Sequence, residues 1–191
     1  MGYTGGAKTS PTYRDLGDHT EALQVDFDPG QLSYEEVVGY FWESHNPVAA
    51  PRGRQYMSAI WYGSERQRDV IDATKDALAE RLGQDITTPV LPLETFYNAE
   101  DYHQKYCLQR HDRLMKRFEE MYPDFRGVID STAAARLNGF AGGQGTAALL
   151  DDEKADYGFA LDELDVLIRR FKGFAQHERR AAEPLRKASR T

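Results

Sequence analysis

Segments with strand periodicity and segments with helix periodicity alternate along residues 20–108, and this alternation constrains the fold more than any other feature. Residues 20–27 alternate apolar and polar side chains, as in a strand with one buried face. Residues 34–41 repeat apolar side chains at helical spacing, after a capping box formed by Ser33 and Glu36. The other predicted elements are a strand at 55–62, a helix between Ser64 and Gly83, a proline-interrupted edge strand at 86–93 and a helix from Ala99 toward Met121. This order predicts an α/β (α+β) domain with a mixed sheet in two layers.

The sequence after Pro123 is interpreted as a helical appendage. A glycine-rich connection from Gly127 to Gly145 is predicted first, followed by a helix from Asp151 or Asp152 to about Phe171 and a basic tail. The apolar stripe of this helix needs a partner surface, and its residues are Tyr157, Leu161, Leu164, Ile168 and Phe171. We therefore divide the chain into a domain at 1–122 and an appendage at 123–191.

Composition excludes several classes of protein. The chain has 24 basic and 31 acidic residues, a net charge of −7, which disfavours a sequence-independent nucleic-acid binder. No stretch approaches the ~20 consecutive apolar residues of a membrane-spanning helix. The single cysteine, Cys107, excludes an internal disulfide and a zinc site built on several thiolates, and the histidines are not spaced to bind a metal. No signal pattern opens the chain, so a cytoplasmic, reducing compartment is expected.

Glu21 is the strongest candidate for chemistry that the pattern offers. It lies in phase with Leu23, Val25 and Phe27 of the predicted strand, so its carboxyl group is expected on the buried face. Burial favours the protonated form of a carboxyl group, which is the form a general acid needs. The alternative is that Glu21 lies at the exposed start of the strand and turns back to solvent.

Tyrosines near loops and element ends form a second group of candidates, because their hydroxyls can reach into a pocket. They are Tyr3, Tyr56, Tyr97, Tyr102 and Tyr106. Alternatively, these tyrosines seal the edges of the sheet, and the neighbouring His103 is a surface residue. Cys107 falls inside the helix predicted after Ala99, away from its start and from an activating cation, which favours a structural thiol over a nucleophile.

Six sequence blocks stand in an order that resembles a known family. They are Gly2-Tyr3-Thr4-Gly5-Gly6, Pro11-Thr12-Tyr13, Gly17-Asp18-His19-Thr20-Glu21, Phe41-Trp42-Glu43-Ser44-His45-Asn46-Pro47, Gln55-Tyr56-Met57-Ser58-Ala59-Ile60 and Phe96-Tyr97-Asn98-Ala99-Glu100-Asp101-Tyr102-His103-Gln104-Lys105-Tyr106. Together they resemble the peptide-methionine (S)-S-oxide reductases, the A-type methionine sulfoxide reductases, over about residues 2–108.

The resemblance implies a thiol reaction on methionine sulfoxide in oxidised proteins or peptides. A cysteine thiolate attacks the sulfoxide sulfur, the oxygen is protonated and leaves as water, and the resulting sulfenic acid is reduced by another thiol or by thioredoxin. By the same resemblance Glu21 is the general acid, and the hydroxyls of Tyr3 and Tyr56 donate to the sulfoxide oxygen. Tyr102, His103 and Tyr106 are candidate pocket residues. No metal, organic cofactor, nucleic acid or membrane is implied.

The chain departs from the family pattern at two places. The family nucleophile lies in a Gly-Cys-Phe-Trp motif upstream of the block that begins at Gly2, and this sequence has no such motif. We expect an N-terminal truncation that removes the first strand and helix. Either the gene model is shortened, or the protein is a genuine short chain without reductase activity. In the first case, the missing part could include a leader that directs the protein to an organelle. Pro51 also stands where many members have an aspartate.

Three functions follow from the sequence, and they belong to different classes. The first is an enzyme that reduces the S epimer of methionine sulfoxide with Glu21 as the acid. The second is a non-catalytic module that binds methionine sulfoxide or a protein partner. The third is an interaction protein that uses the apolar stripe from Tyr157 to Phe171.

Overall fold

The computed structural model describes residues 1–51, 53–159 and 163–167, and the chain divides into two compact units at 1–100 and 101–191. The first unit contains strands and helices, and the described part of the second unit is helical. The mixed α/β class expected from the alternating pattern is confirmed. The boundary between the units falls earlier than the division at 122/123 drawn from the sequence.

A three-stranded antiparallel sheet forms one part of the first unit. Strand β1 (Gly2–Thr4) lies between β2 (Thr20–Ala22) and β5 (Phe96–Asn98). Tyr3 is directly opposite Glu21 on one side and Tyr97 on the other. Because opposite residues of antiparallel strands share a face, these three side chains leave the sheet on the same side.

The rest of the first unit is a helical layer with a parallel strand pair. Its elements are α1 (Tyr34–Glu43), β3 (Ile60–Tyr62), α2 (Glu65–Leu82) and β4 (Val90–Pro92), with β3 parallel to β4. The two helices bury a shared apolar core. Its buried members are Val38, Trp42, Ile71, Leu78 and Ile86.

The predicted start of α1 and both predicted ends of α2 are confirmed by their capping interactions. The Ser33 hydroxyl accepts from the Glu36 N–H, and the Glu36 carboxylate accepts from the Ser33 N–H at 2.8 Å. Ser64 caps α2 in the same way, and Gly83 ends it in a left-handed conformation with φ +63°. The Gln67 side chain accepts from the Gly63 N–H rather than from the Ser64 N–H, so Ser64 caps α2 without the reciprocal bond found at Ser33.

The strand predicted over 20–27 is wrong beyond Ala22. Leu23 is 69% exposed and Val25 is 53% exposed, so no buried face continues past β2. Ala22 pairs with Gly2, and no strand in the described residues pairs with the segment that follows. The strand predicted over 55–62 is likewise shortened to β3.

The second unit does not contain the continuous helix predicted from Ala99 toward Met121. Two short 3₁₀ helices, Asp101–His103 and Leu108–Arg110, precede α3 (Asp112–Met121). Lys105 has φ +49° and His111 has φ −118° with ψ 79°. Both conformations lie outside the α region, so the helix cannot run through them.

The glycine-rich connection predicted between Gly127 and Gly145 is also wrong, because most of it is helical. The segment forms α4 (Phe125–Asp130) and α5 (Thr132–Ala141). Asp124 caps the first helix by accepting from the Gly127 N–H, and Ser131 caps the second. Local capping chemistry therefore starts two helices in a sequence whose glycines favour a loop.

A single helix from Asp151 to Phe171 is not formed either. Helix α6 (Ala147–Glu153) begins after Thr146 and continues as a 3₁₀ turn, Lys154–Tyr157, which ends at Gly158 with φ +72°. Of the predicted apolar stripe, Tyr157 and Leu164 are buried in the second unit. Leu161, Ile168 and Phe171 lie outside the described residues.

The second unit has one apolar core that draws on residues from both sides of Pro123. Its fully enclosed members are Leu108, Leu114, Phe118, Val128, Ala134, Leu137, Leu150, Leu164 and Leu167. The segment at 101–122 therefore belongs with the residues after it rather than with the first unit. None of the described helices combines the length and hydropathy that crossing a membrane requires.

Candidate functional site

Asp18 and His19 hold the loop after β1 against the start of β2. The Asp18 carboxylate accepts from the Ala7 N–H at 2.9 Å and from the Lys8 N–H at 3.2 Å. These backbone hydrogen bonds lower the pKa of Asp18, because they stabilise its charged form. A Cβ on Gly6 would lie 2.5 Å from Asp18 Oδ1, so the close approach of the two segments requires glycine.

The His19 ring is buried and closes the same loop from inside. Its Nδ1 accepts from the Gly6 N–H at 3.2 Å, and its Nε2 donates to the Lys8 carbonyl at 2.7 Å. This donor and acceptor pair corresponds to the neutral imidazole with its proton on Nε2. The ring edge meets Tyr97 with centroids 5.4 Å apart.

The segment around Arg54 lies along the outer edge of β2. The Arg54 guanidinium donates to the carbonyls of Gly5 and Asp18, and its own carbonyl accepts from the Thr20 hydroxyl at 2.8 Å. The next carbonyl, that of Gln55, accepts from the Glu21 N–H at 2.9 Å. These hydrogen bonds place the side chains that follow Arg54 next to Glu21.

Four neighbouring side chains then form a group that we call the acid–tyrosine cluster: Glu21, Gln55, Tyr56 and Tyr13. The Gln55 amide nitrogen donates to Glu21 Oε1 at 2.8 Å and to the Tyr56 hydroxyl at 3.0 Å. The Tyr13 side chain lies beside Tyr56, close enough to raise the pKa of the Tyr56 hydroxyl. A carboxyl group and two phenols are thus gathered at one surface of the first unit.

Glu21 is half-buried, but for a different reason from the one predicted. The apolar phase with Leu23 and Val25 does not bury it, because both of those side chains are exposed. Gln55 covers Oε1, and the backbone pairing with Gln55 covers the strand edge.

Tyr56 presents its hydroxyl to solvent while remaining hydrogen-bonded. It is 65% exposed, and its neighbour Tyr13 is 41% exposed. The hydrogen bond with Tyr13, then partial burial and the negative charge of Glu21, raise the pKa of Tyr56, and the Gln55 amide opposes this. Tyr56 therefore stays a neutral hydrogen-bond donor at neutral pH.

Tyr3 does not join Tyr56, although the resemblance pairs these two hydroxyls. Its side chain is 1% exposed, and its hydroxyl donates to Glu100 Oε2 at 2.6 Å. Tyr13 occupies the place beside Tyr56 instead. The signal that could have found it is the Pro11-Thr12-Tyr13 block, which we used for the resemblance without assigning a role to its tyrosine.

Tyr102, His103 and Tyr106 belong to the second unit. The rings of Tyr102 and His103 are 4.2 Å apart, and the Arg110 guanidinium lies 6.0 Å from the Tyr106 ring. Both tyrosines are exposed. Their assignment to a pocket stays a prediction.

Cys107 is half-buried at the edge of the core of the second unit. Its N–H and that of Leu108 donate to the Asn138 Oδ1 at 3.0 and 3.1 Å. A Cβ on Gly142 would lie 3.4 Å from the Cys107 sulfur, so the thiol faces the end of α5. In the part of the chain that the structure describes, no group of three or more His, Cys, Asp or Glu residues is arranged to hold a metal ion.

Comparison with known proteins gives consistent matches. A family model described as peptide methionine sulfoxide reductase matches residues 1–144. A Drosophila melanogaster peptide methionine sulfoxide reductase is 42% identical over 147 residues, covering 76% of this chain and 58% of that protein. A peptide methionine sulfoxide reductase MsrA of Sulfolobus acidocaldarius is 34% identical, covering 64% of this chain and 80% of that protein.

A solved structure supports the likeness of the fold. The crystal structure of Mxr1 from Saccharomyces cerevisiae in reduced form aligns with a TM-score of 0.53 at 26% identity, covering 56% of this chain and 68% of that one. The chain spans 54–58% of the length of the first three curated relatives it matches.

Proposed function

The chain belongs to the peptide methionine sulfoxide reductase family, and on that premise we propose that it acts in the thiol-dependent reduction of methionine S-sulfoxide in proteins. The observation that carries the proposal is the acid–tyrosine cluster, which gathers one carboxyl group and two phenol hydroxyls at one surface. A sulfoxide oxygen accepts hydrogen bonds and must gain protons as its bond to sulfur breaks.

The balanced reaction consumes one sulfoxide and two thiols and yields one thioether, one disulfide and one water. In the proposal Glu21 protonates the departing oxygen, while Tyr13 and Tyr56 stabilise the negative charge that develops on it. Gln55 already donates to Glu21 Oε1. In the proposal Glu21 delivers the proton from Oε2, the oxygen that Gln55 does not cover.

A thiolate must supply the attack on sulfur, and we propose that Cys107 is not that thiolate. Its sulfur faces α5, and the backbone around it is fixed by Asn138. The short 3₁₀ helix that it precedes has three residues and gives a thiol little dipole stabilisation. We also propose that thioredoxin or another thiol supplies the electrons for the reduction.

Replacing Tyr56 with Phe weakens binding of a methionine S-sulfoxide peptide about tenfold, as expected when one hydrogen bond of ~1.4 kcal/mol is lost. Titration calorimetry against the S and R epimers measures this loss. Tyr40→Phe is the matched control, since it removes an exposed phenol from α1, away from the acid–tyrosine cluster. Equal affinity of wild type and the Tyr56 variant would remove Tyr56 from the binding site.

A second candidate function is a non-catalytic module that binds methionine sulfoxide. The environment of Cys107 favours it, because the one thiol of the 191 residues has a structural setting. The two functions share the same binding surface and differ in turnover.

The 191-residue chain is expected not to reduce a methionine sulfoxide peptide with dithiothreitol above the uncatalysed rate. Cys107→Ser should leave that rate unchanged, because the thiol is engaged in packing rather than in chemistry. Chromatography of the peptide product measures turnover. Turnover by wild type that the serine variant abolishes would instead make Cys107 the nucleophile.

A further inference from the structure

Tyr13 lies in an exposed turn, and its side chain needs to be held in place to meet Tyr56. The turn is closed by hydrogen bonds between Thr12 and Asp15, with N···O distances of 3.2 and 3.0 Å. From the middle of this turn the Tyr13 N–H donates to Glu100 Oε1 at 3.0 Å. Glu100 is 87 residues away in sequence, so this bond ties the turn to the end of the sheet.

The other oxygen of Glu100 is fixed from inside the sheet. Its Oε2 accepts from the Tyr3 hydroxyl at 2.6 Å, and Tyr3 is buried in the central strand β1. The residue before it, Ala99, donates its N–H to the Met1 carbonyl at 3.1 Å. One carboxylate therefore joins a rigid strand to the turn that carries Tyr13.

We propose that Glu100 is a positioning residue for Tyr13, with Tyr3 as its anchor. Glu100 itself is joined to the acid–tyrosine cluster through Tyr13. The path runs from Tyr3 through Glu100 to the Tyr13 backbone, and from the Tyr13 side chain to Tyr56. The consequence for catalysis rests on the proposed function, whereas the placement of Tyr13 does not.

The chemistry of the link explains why a carboxylate suits this position. It accepts two hydrogen bonds, one on each oxygen, and hydrogen bonds to a charged acceptor are stronger than neutral ones. Gln can keep both contacts only if its NH2 group donates to the Tyr3 oxygen, and the resulting hydrogen bonds are neutral and weaker. Alanine serves neither.

The titration of Tyr56, followed by NMR on protein labelled with ¹³C at the tyrosine Cζ atoms, tests the proposal. The hydrogen bond with Tyr13 is the largest cause of the raised pKa of Tyr56, so Tyr13→Phe sets the full effect of losing it. Glu100→Ala should lower the pKa of Tyr56 by at least half of that effect, and Glu100→Gln by less. A role in stability alone would leave this titration unchanged.

Thr4→Val is the matched control. It removes the 2.7 Å bond from the Thr4 hydroxyl to the Thr95 carbonyl in the same sheet, and this bond does not involve Glu100. The control should retain the wild-type titration of Tyr56 even where its melting temperature falls. If it lowers the pKa of Tyr56 as much as Glu100→Ala does, general loosening explains the shift and the proposal fails.

The other possible results also support or overturn the positioning role of Glu100. A wild-type Tyr56 titration in folded Glu100→Ala overturns the positioning role, whereas a wild-type titration in Glu100→Gln agrees with it, because the amide can keep both contacts. No shift in Tyr13→Phe overturns the Tyr13–Tyr56 interaction on which the role depends. Calorimetry on the same samples separates the two proposals. A lowered pKa in Glu100→Ala without sulfoxide binding by wild type keeps the positioning role and rejects the proposed function.

Discussion

Replacing Glu21 with Gln lowers kcat for methionine S-sulfoxide by about 10²-fold or more, the range for losing a general acid. The kcat is measured in a version of the protein that carries the family's Gly-Cys-Phe-Trp segment upstream of Gly2, so that a thiolate is present to attack the sulfoxide. Gln keeps the size and polarity of the side chain, but its amide cannot supply the proton. Binding of the substrate should change far less than kcat.

Glu94→Gln serves as the control for Glu21, because it removes an exposed carboxylate from the same unit. Its kcat should match that of the parent protein. A Glu21→Gln variant that keeps full turnover throughout the neutral pH range would contradict the assignment of the acid. Loss of binding and turnover in equal measure would assign Glu21 to substrate binding instead.

Replacing Phe118 with Ala lowers the free energy of unfolding of the second unit by about 3–5 kcal/mol. Phe118 is completely enclosed, with its ring edge-on to Phe159 at 5.1 Å and stacked near Tyr122 at 6.3 Å. Truncation removes buried apolar surface and leaves a cavity between these rings. Hydrogen exchange of the amides in α3 and α5 measures the loss where it occurs.

Tyr106→Ala is the control for this cavity, since it deletes an exposed ring from the same unit. Its effect should stay within about 0.5 kcal/mol, as for surface substitutions. A cost below 1 kcal/mol for Phe118→Ala would mean that the core closes around the gap, contrary to the enclosed packing described above.

Helix starts could be predicted from the sequence because their causes are local. Ser33 and Ser64 each accept a hydrogen bond from a backbone N–H three residues later, and such spacing is visible in the sequence. The two helices after Asp124 and Ser131 use the same chemistry. The glycines between 127 and 145 mask these helices in the sequence, because glycine is typical of a loop.

Strand lengths could not be predicted, because a strand continues only where a partner continues. The alternation at Leu23 and Val25 is genuine, but no described strand lies beside these residues. The continuous helix through Lys105 failed for a related reason. A backbone with φ +49° at that residue carries no signature in the side-chain pattern.

In the candidate site, too, some residues could be predicted from the sequence and others could not. Glu21 and Tyr56 could be selected from sequence blocks, and the structure joins them through Gln55. Whether a tyrosine hydroxyl points into the sheet or out of it depends on a distant acceptor. For Tyr3 that acceptor is Glu100, 97 residues later.

The pairing of Tyr3 with Glu21 ties the assembly of the site to the fidelity of folding. Side chains alternate between faces along a strand, so a slip of one residue between β1 and β2 would turn Glu21 to the opposite face. Strands of three residues have few ladder bonds to resist such a slip. The hydrogen bonds of Asp18 and His19 to the loop after β1 hold β2 in this register instead. A sheet that closes in another register therefore also turns the Glu21 carboxyl group away from Gln55 and Tyr56.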